Sequence, residues 1–172
     1  MKLRRPQVAG AQAACRSASP ADVAEICTLV NYWAEKGIML PRSEKEVLES
    51  LSDFSVLDRK GEILACGALA PYGTDLAELR SVAVSPKEQR SGLGRTLCEF
   101  LIAKGRKGRF PRLFAFTYVP GFFEKLGFRI AWRKSGDPLR LSRRPATADS
   151  SSSIFCKVCC GAPSRARIKA RA

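Results

Sequence analysis

Two stretches in the first third of the chain repeat apolar residues every three to four positions, the period of an amphipathic helix. SPADVAEICTLVNYWAEKG has Ser19 as a candidate N-cap, Pro20 in the first turn and Gly37 at its end. RSEKEVLESLSDF places Ser43 three residues before Glu46, the spacing of a capping box. We therefore predict two helices. Their inward-facing residues are Val23, Ile26, Cys27, Val30 and Trp33 or Ala34 in the first, and Val47, Leu48 and Leu51 in the second.

From Phe54 onward the apolar pattern shortens to that of extended strands. FSVLDRKGEILACGALAPYG contains two apolar runs separated by DRKG, which predicts a hairpin. LAELRSVAVS predicts a third strand and SGLGRTLCEFLIAKGRKG a helix. RLFAFTYV, PGFFEKLGF and FRIAWRK predict a strand, a short helix and a last strand. Because helices lie between strands, the predicted class is α/β or α+β with a mixed sheet.

The pattern fades after residue 134. Serines, charges and turn residues dominate 135–172, with too little apolar surface to offset the entropy lost on ordering. We predict a flexible N-terminus over 1–11, one domain over 12–134, and a basic, largely disordered tail over 135–172. The tail contains CKVCC (Cys156–Cys160), which is either the remnant of a cysteine segment or sequence beyond a shifted reading frame.

The chain has 172 residues and a formal charge of +14. Residues 133–172 hold ten Lys and Arg against two Asp, which is more than half of the excess. Such a tail attracts polyanions non-specifically, so we expect no specific nucleic-acid partner. The positive charge on the rest of the chain suits an anionic small molecule.

Seven cysteines and no histidine limit the chemistry. Without histidine, every His-based triad and every His-ligated metal centre is excluded. The single C-x-x-C of the tail lacks a second pair, so we expect no metal. Four cysteines in apolar segments are predicted to be buried, reduced thiols: Cys15, Cys27, Cys66 and Cys98.

No apolar run approaches the length of a membrane-spanning helix, about 18 residues. The basic first fourteen residues lack the apolar core of a secretory signal. We therefore expect a cytoplasmic protein that does not bind membranes.

SPKEQRSGLGRTL connects the third strand to the next helix. Gly92 and Gly94 allow close backbone approach, Arg90 and Arg95 add charge, and the free amides at a helix start favour an anion. The spacing fits neither nucleotide loop, because Leu97 occupies the third glycine position. From these residues alone, a plain turn and an anion-binding loop remain equally open.

VAVSPKEQRSGLGRTL resembles the acyl-CoA signature of the GNAT acyltransferase superfamily, [QR]-x-x-G-x-[GA], which Gln89, Gly92 and Gly94 match. About 30 residues later, FFEKLGF resembles the superfamily's second hallmark. The resemblance implies the GNAT fold over residues 12–134, a mixed central sheet of about six strands flanked by about four helices. It also implies acetyl-CoA as co-substrate. The segments GIMLPRS, DFSVLDRKGEILACGAL, DLAELRSVAV and FAFTYVPGFFEKLGF resemble, in particular, the acetyltransferase domains of short bacterial N-acetylglutamate synthases.

By this resemblance, backbone groups of Val82 and Val84 pair with the pantetheine amides, while the loop amides and Arg90 hold the pyrophosphate. The implied cofactor-binding residues are Val82, Ala83, Val84, Gln89, Arg90, Ser91, Gly92, Leu93, Gly94, Arg95, Thr96 and Phe123.

Acyl transfer to an amine requires a base, an oxyanion donor and a proton for the leaving thiolate. Glu78 is the candidate base, acting directly or through a water; equally, it is an exposed strand carboxylate or a partner of Arg80. Phe123 stands where many GNAT enzymes have a tyrosine acid. Tyr118 is the nearest hydroxyl and the candidate acid, unless the thiolate leaves without one.

A glutamate acceptor has two carboxylates, which suit guanidinium partners. Arg80, between apolar neighbours on the third predicted strand, and Arg42, in the LPRS turn, are the candidates. Ser43 lies next to Arg42 and is a further substrate-binding candidate, and Thr117 and Tyr118 are expected to line the same pocket. Arg42 is equally typical of a solvated helix start.

Three functions remain open. The first is transfer of acetyl from acetyl-CoA to the α-amino group of L-glutamate, the first step of arginine biosynthesis. The second is acetylation of another small amine, amino acid or protein N-terminus. The third is a catalytically silent acyl-CoA sensor or a nucleic-acid-associated protein. The sequence allows a homodimer without requiring one.

Overall fold

A computed structural model of the chain describes residues 13–108, 110, 112–133, 141–142 and 156–161. The strands are β1 (Ala14–Ser17), β2 (Phe54–Arg59), β3 (Glu62–Pro71), β4 (Leu76–Val84), β5 (Arg112–Thr117), β6 (Arg129–Arg133), β7 (Leu141–Ser142) and β8 (Cys156–Gly161). The helices are α1 (Val23–Glu35), α2 (Glu44–Glu49), α3 (Leu93–Lys107) and α4 (Pro120–Glu124).

The described strands form one mixed sheet in the order β1-β2-β3-β4-β5-β8-β6-β7. Only β4 and β5 are parallel; the other described neighbours are antiparallel. The predicted class, a mixed sheet with four flanking helices, is confirmed. Strand β1 was not predicted, because its four residues carry too short an apolar pattern.

Two strands, β7 and β8, lie within the tail that was predicted to be largely disordered. Strand β8 lies between β5 and β6 and pairs with β5 along its whole length. A composition-based prediction averages over the whole tail and overlooks the six residues of β8, for which two neighbouring strands supply backbone partners. Residues 1–11, 143–155 and 162–172 lie outside the described part of the chain.

Helices cover both faces of the sheet. On one face, α1 and α2 pack their apolar side chains against alternate residues of the first strands, among them Val56 and Ala68. On the other face, α3 packs Leu97 and Leu101 against Leu57 and its neighbours. Because successive residues of a strand point to opposite faces, the continuous apolar runs of β2 and β3 supply both cores.

Local signals set most element boundaries as predicted. Ser19 precedes a 3-10 turn over Pro20–Asp22, so α1 itself begins at Val23. The capping box of α2 is confirmed, since the Glu46 amide donates to Ser43 Oγ at 3.3 Å and the Ser43 amide donates to Glu46 Oε2 at 2.8 Å. Leu48 was wrongly predicted to face inward and is 55% exposed, because α2 has only six residues and presents mainly Val47 to the core.

Asp22 is a buried carboxylate that ties β1 to the start of α1. The Arg16 guanidinium donates to both of its oxygens, at 2.7 and 2.8 Å. The Ser19 amide and hydroxyl donate to Oδ2 at 2.6 and 2.7 Å. These contacts, the Arg16 hydrogen bonds first among them, hold the pKa of Asp22 well below its ordinary 3.8.

Asp22→Asn should lower the free energy of unfolding at pH 7 by about 1–3 kcal/mol, the usual cost of depriving a buried group of charge-assisted hydrogen bonds. The folded protein keeps Asp22 charged below pH 3.8, while the unfolded chain takes up a proton. The contribution is therefore complete above that pH and decreases as the pH falls. Urea unfolding at pH 7 and pH 3 should show the difference from wild type narrowing at pH 3. Glu49→Gln, at an exposed site, is the control; an equal effect of both substitutions would contradict the prediction.

Candidate active site

The sheet opens where β4 and β5 diverge. These strands pair only through Leu76–Glu78 and Arg112–Phe114, although β4 continues to Val84 and β5 to Thr117. Beyond Glu78, no described strand pairs with β4 on its β5 side. The result is a fork in the sheet with Glu78 at its apex.

A β-bulge in β4 accounts for this divergence. Ser81 has a φ of 52°, and the pairing with β3 shifts register between Cys66 and Ala68. An extra residue on one strand bends and twists it locally. Opposite the bulge, a Cβ on Gly67 would lie 3.0 Å from Leu101 Cδ1 and 3.3 Å from Val82 Cγ2. Glycine therefore lets α3 and the bulged strand approach each other.

The end of β4 presents backbone groups to the fork. The Ser85 amide donates to the Leu64 carbonyl of β3 at 2.8 Å. Since backbone groups alternate in direction along a strand, those of Val84 and Val82 face the opposite side, toward the fork. The Val84 carbonyl is already used: Trp33 Nε1 donates to it at 2.8 Å and Gln89 Nε2 at 3.0 Å. Both backbone groups of Val84 were expected to pair with a ligand. Because its carbonyl is occupied, only its N–H is available for that pairing.

The glycine loop, which runs from Ser85 to Gly92, continues directly from this edge. A 3-10 turn over Pro86–Glu88 leads to Arg90 and Gly92, whose φ values are 62° and 88°. Gly92 is the N-cap of α3, and its carbonyl accepts hydrogen bonds from the Thr96 amide at 3.1 Å and the Thr96 hydroxyl at 3.3 Å. Gly92, Ser91 and Arg90 are exposed. Positive-φ residues followed by a helix start are a backbone geometry that can accommodate an anion.

The residues predicted for the loop lie together in the structure, except for Phe123. Gly94 lies against β4, since its Cβ would be 3.2 Å from Val84 Cγ2 and 3.7 Å from Phe122 Cζ. Phe122 is half-buried there, whereas Phe123 is 4% exposed and stacks edge-on against Phe128 in the core. Of the two adjacent rings, Phe122 is therefore the one beside the loop. Their order on a short helix decides this, and the sequence contains no signal for it.

The remaining predicted cofactor residues divide by exposure. Arg95 and Thr96 are exposed on the first turn of α3, and Arg95 pairs with Glu99 at 2.9 Å. Leu93 is half-buried, and Ala83 is buried under α1. Gln89 serves the loop through its side chain, which ties the loop to the end of β4.

Glu78 and Arg80 are half-buried and lie two positions apart before the bulge, so they share one face of β4. Arg80 Nη2 pairs with Asp53 Oδ2 at 3.6 Å, but its buried Nε has no hydrogen-bond partner among the described atoms. Desolvation raises the pKa of Asp53, opposed by the charges of Arg80 and Lys104. Arg80 thus retains unused hydrogen-bonding capacity next to the fork.

The other predicted substrate residues have structural partners. Ser43 caps α2, and Arg42 lies 3.9 Å from Glu46 across one helical turn. Thr117 Oγ1 accepts a hydrogen bond from the Val119 amide at 3.0 Å, which shapes the turn after β5. Tyr118 follows that strand and is 59% exposed.

Two cysteines near the site lack the properties of nucleophiles. Burial raises the pKa of both Cys66 and Cys98 to about 12, so both thiols stay protonated at neutral pH. In the described part of the chain, no group of three or more His, Cys, Asp and Glu could hold a metal ion. None of the described helices is long and apolar enough to cross a membrane.

Comparisons with known proteins agree with this geometry. Residues 23–128 match the family model described as "Acetyltransferase (GNAT) family". An uncharacterized N-acetyltransferase of Chlorobaculum tepidum is 37% identical over 66% of this chain and 74% of its own length. The amino-acid acetyltransferase of Neisseria meningitidis is 35% identical over 75% of this chain but only 29% of its own length.

Among solved structures, N-acetylglutamate synthase from Neisseria gonorrhoeae complexed with coenzyme A and N-acetyl-glutamate is similar to this chain. It matches with a TM-score of 0.69 and 31% identity, over 74% of this chain and 30% of that one. The chain thus spans under a third of these two Neisseria proteins. The family match, the relatives and the forked sheet agree, and the chain belongs to the GNAT acetyltransferase family, whose co-substrate is acetyl-CoA.

Proposed function

We propose that the chain transfers the acetyl group of acetyl-CoA to the α-amino group of L-glutamate, the first step of arginine biosynthesis. The observation that supports this most directly is Arg80: a half-buried guanidinium beside the fork, with a buried Nε that lacks a hydrogen-bond partner among the described atoms. A carboxylate acceptor would pair with this guanidinium, since the Arg80 side chain is 29% exposed. The similarity to amino-acid acetyltransferases and to N-acetylglutamate synthase supports the same substrate class.

In this proposal acetyl-CoA binds in the fork. Its pantetheine arm extends the open edge of β4 by hydrogen bonds with backbone groups of Val82 and with the Val84 N–H. Its pyrophosphate lies on the glycine loop, where the first-turn amides of α3 and the exposed Arg90 provide donors and charge. The thioester would then lie near the bulge.

The acceptor approaches from the face that carries Glu78 and Arg80. Arg80 holds one carboxylate, and Arg42, on the connection between α1 and α2, is the candidate for the other. Glu78, at the apex of the fork, accepts the proton of the substrate ammonium directly or through a water. The neutral amine then attacks the thioester carbon.

The tetrahedral oxyanion that forms is stabilised by a backbone N–H of β4, that of Val82 or Val84. Collapse of the intermediate breaks the carbon–sulfur bond and releases coenzyme A as a thiolate, and the attacking nitrogen gives up its second proton to solvent to leave the neutral amide. Tyr118 is the candidate proton donor to the sulfur, although its exposure is equally consistent with a thiolate that takes its proton from solvent. N-acetylglutamate and coenzyme A leave as products.

Measuring coenzyme A release with each of the twenty amino acids tests the proposal. We expect glutamate to be the best acceptor, with glutamine and aspartate slower because each lacks one feature of glutamate, a second carboxylate or a methylene. Turnover with another amine but none with glutamate would refute the glutamate assignment. Binding of acetyl-CoA without turnover of any amine would instead indicate a sensor.

A further inference from the structure

Two side chains of α1 each contact the backbone of a different part of the proposed site. Asn31 contacts the connection that carries Arg42, and Trp33 contacts the end of β4. Asn31 binds the backbone of Arg42 on both sides: its Nδ2 donates to the Arg42 carbonyl at 2.9 Å, and its Oδ1 accepts from the Arg42 amide at 2.9 Å. Two positions later, Trp33 Nε1 donates to the Val84 carbonyl at 2.8 Å. Both contacts join residues from separate elements.

The arrangement of these residues on the helix gives the two contacts different targets. Residues i and i+2 of a helix point away from each other, and each residue adds about 1.5 Å along the axis. Asn31 therefore reaches the connection that carries Arg42, while Trp33 reaches the end of β4. A single turn of α1 spans the space between them.

The Trp33 contact fixes a particular peptide group. The Val84 carbonyl and the Ser85 N–H belong to the same planar peptide. Its N–H donates to Leu64 on β3 at 2.8 Å, and its carbonyl accepts from both Trp33 and Gln89. A carbonyl oxygen has two lone pairs, so both are occupied and the peptide is held at each end. This peptide directly follows the Val84 N–H, which faces the fork by the alternation of backbone groups along β4, so its anchoring restrains the end of the strand that presents that N–H.

The Asn31 contact acts on the connection between α1 and α2, most of which is exposed. Ile38, Leu40 and Ser43 of this connection are exposed, and Arg42 is joined to Glu46 only at 3.9 Å. The paired hydrogen bonds from Asn31, both 2.9 Å long, anchor the Arg42 backbone to α1. They determine where the Arg42 side chain starts.

We propose that Asn31 and Trp33 are positioning residues. Through them, α1 fixes the connection that carries Arg42 relative to the open edge of β4, where acyl-CoA is proposed to bind. The proposal rests on the proposed function for the identity of the two ligands. Each residue is expected to affect the binding of a different ligand: Trp33 that of coenzyme A, and Asn31 that of the acceptor. Neither residue needs to touch a reacting atom.

Trp33→Phe keeps a ring in the core but removes the donor to Val84. We expect the Kd of coenzyme A, measured by calorimetry, to rise about threefold to tenfold, the range for loss of one neutral hydrogen bond. The KM of the acceptor should stay within about twofold of wild type. Asn31→Ala should do the reverse, raising the KM of the acceptor about tenfold with the Kd of coenzyme A unchanged.

Thr28→Ala is the matched control, because Thr28 Oγ1 donates only within α1, to the Ala24 carbonyl at 2.9 Å. It should change neither constant. If Asn31 and Trp33 only stabilise the fold, both variants will have a lower Tm and a lower kcat with Kd and KM unchanged. That result would overturn the proposal, as would a Kd of coenzyme A that Trp33→Phe does not alter.

The glutamate assignment can fail separately. Coenzyme A binding requires no acceptor, so the Trp33 measurement is independent of the amine. If the amino-acid screen identifies another acceptor, its KM replaces that of glutamate in the Asn31 measurement.

Discussion

Arg80→Ala should reduce kcat/KM for glutamate by about 30-fold to several thousand-fold, the range for removing one partner of a desolvated, hydrogen-bonded charge pair. The Kd of coenzyme A should remain nearly unchanged, because Arg80 lies before the bulge and the cofactor edge lies after it. Steady-state kinetics with glutamate and calorimetry with coenzyme A measure the two effects separately.

The ion pair with Asp53 supplies the control for this prediction. Asp53→Asn removes the same salt bridge but leaves the guanidinium in place. If the pair is only structural, both variants should lose stability and turnover together. If Arg80 binds the substrate, Asp53→Asn should retain turnover, and its KM for glutamate should not rise, because a competing carboxylate charge has been removed. Loss of both glutamate turnover and coenzyme A binding in Arg80→Ala would show that Arg80 is structural.

Gly92→Val should raise the Kd of coenzyme A by at least about tenfold. At a φ of 88°, a β-branched residue is strained by about 1–3 kcal/mol. A Cβ on Gly92 would meet no atom within 4 Å, so the penalty comes from the backbone and from a side chain placed where the pyrophosphate approaches. The first effect disfavours the loop conformation, and the second would obstruct the ligand.

Gly73→Val is the matched control, since Gly73 has a φ of 78° and equally open surroundings but lies in the β3–β4 turn. The two variants should have a similar decrease in Tm, and only Gly92→Val should weaken binding of coenzyme A. Equal affinities in both variants would refute the role of the loop as an anion cradle.

The helix caps, the hairpin and the glycine loop could be predicted because each depends on residues adjacent in the chain. Lys60 and Gly61, the last two residues of DRKG, have positive φ values of 56° and 86°, as a tight hairpin turn requires. Ser43 and Glu46 form their capping box within one helical turn. The loop was predicted with its neighbouring strand and helix, and the expectation of acyl-CoA binding came from the resemblance of Gln89, Gly92 and Gly94 to the GNAT signature.

Features that depend on partners distant in the chain could not be predicted. The bulge at Ser81 lies where β3, β4 and α3 pack closely around Gly67, and no residue of SVAV signals it. Strand β8 requires its position between β5 and β6, about 40 residues from the end of β5 along the chain. Phe122 and Phe123 are identical in type, so only packing could show which ring lies beside the loop.

By itself, the sequence determined the class of fold, the order of the elements from α1 to β6 and the glycine loop between β4 and α3, since periodicity, caps and glycine spacing are local properties. Tertiary structure decided how the site is assembled. It ended the pairing of β4 with β5 at Glu78, paired Arg80 with Asp53, and formed the hydrogen bond from Trp33 to the Val84 carbonyl. Each of these contacts joins residues at least 27 positions apart. Their energies depend on how the layers pack, which no short stretch of sequence encodes.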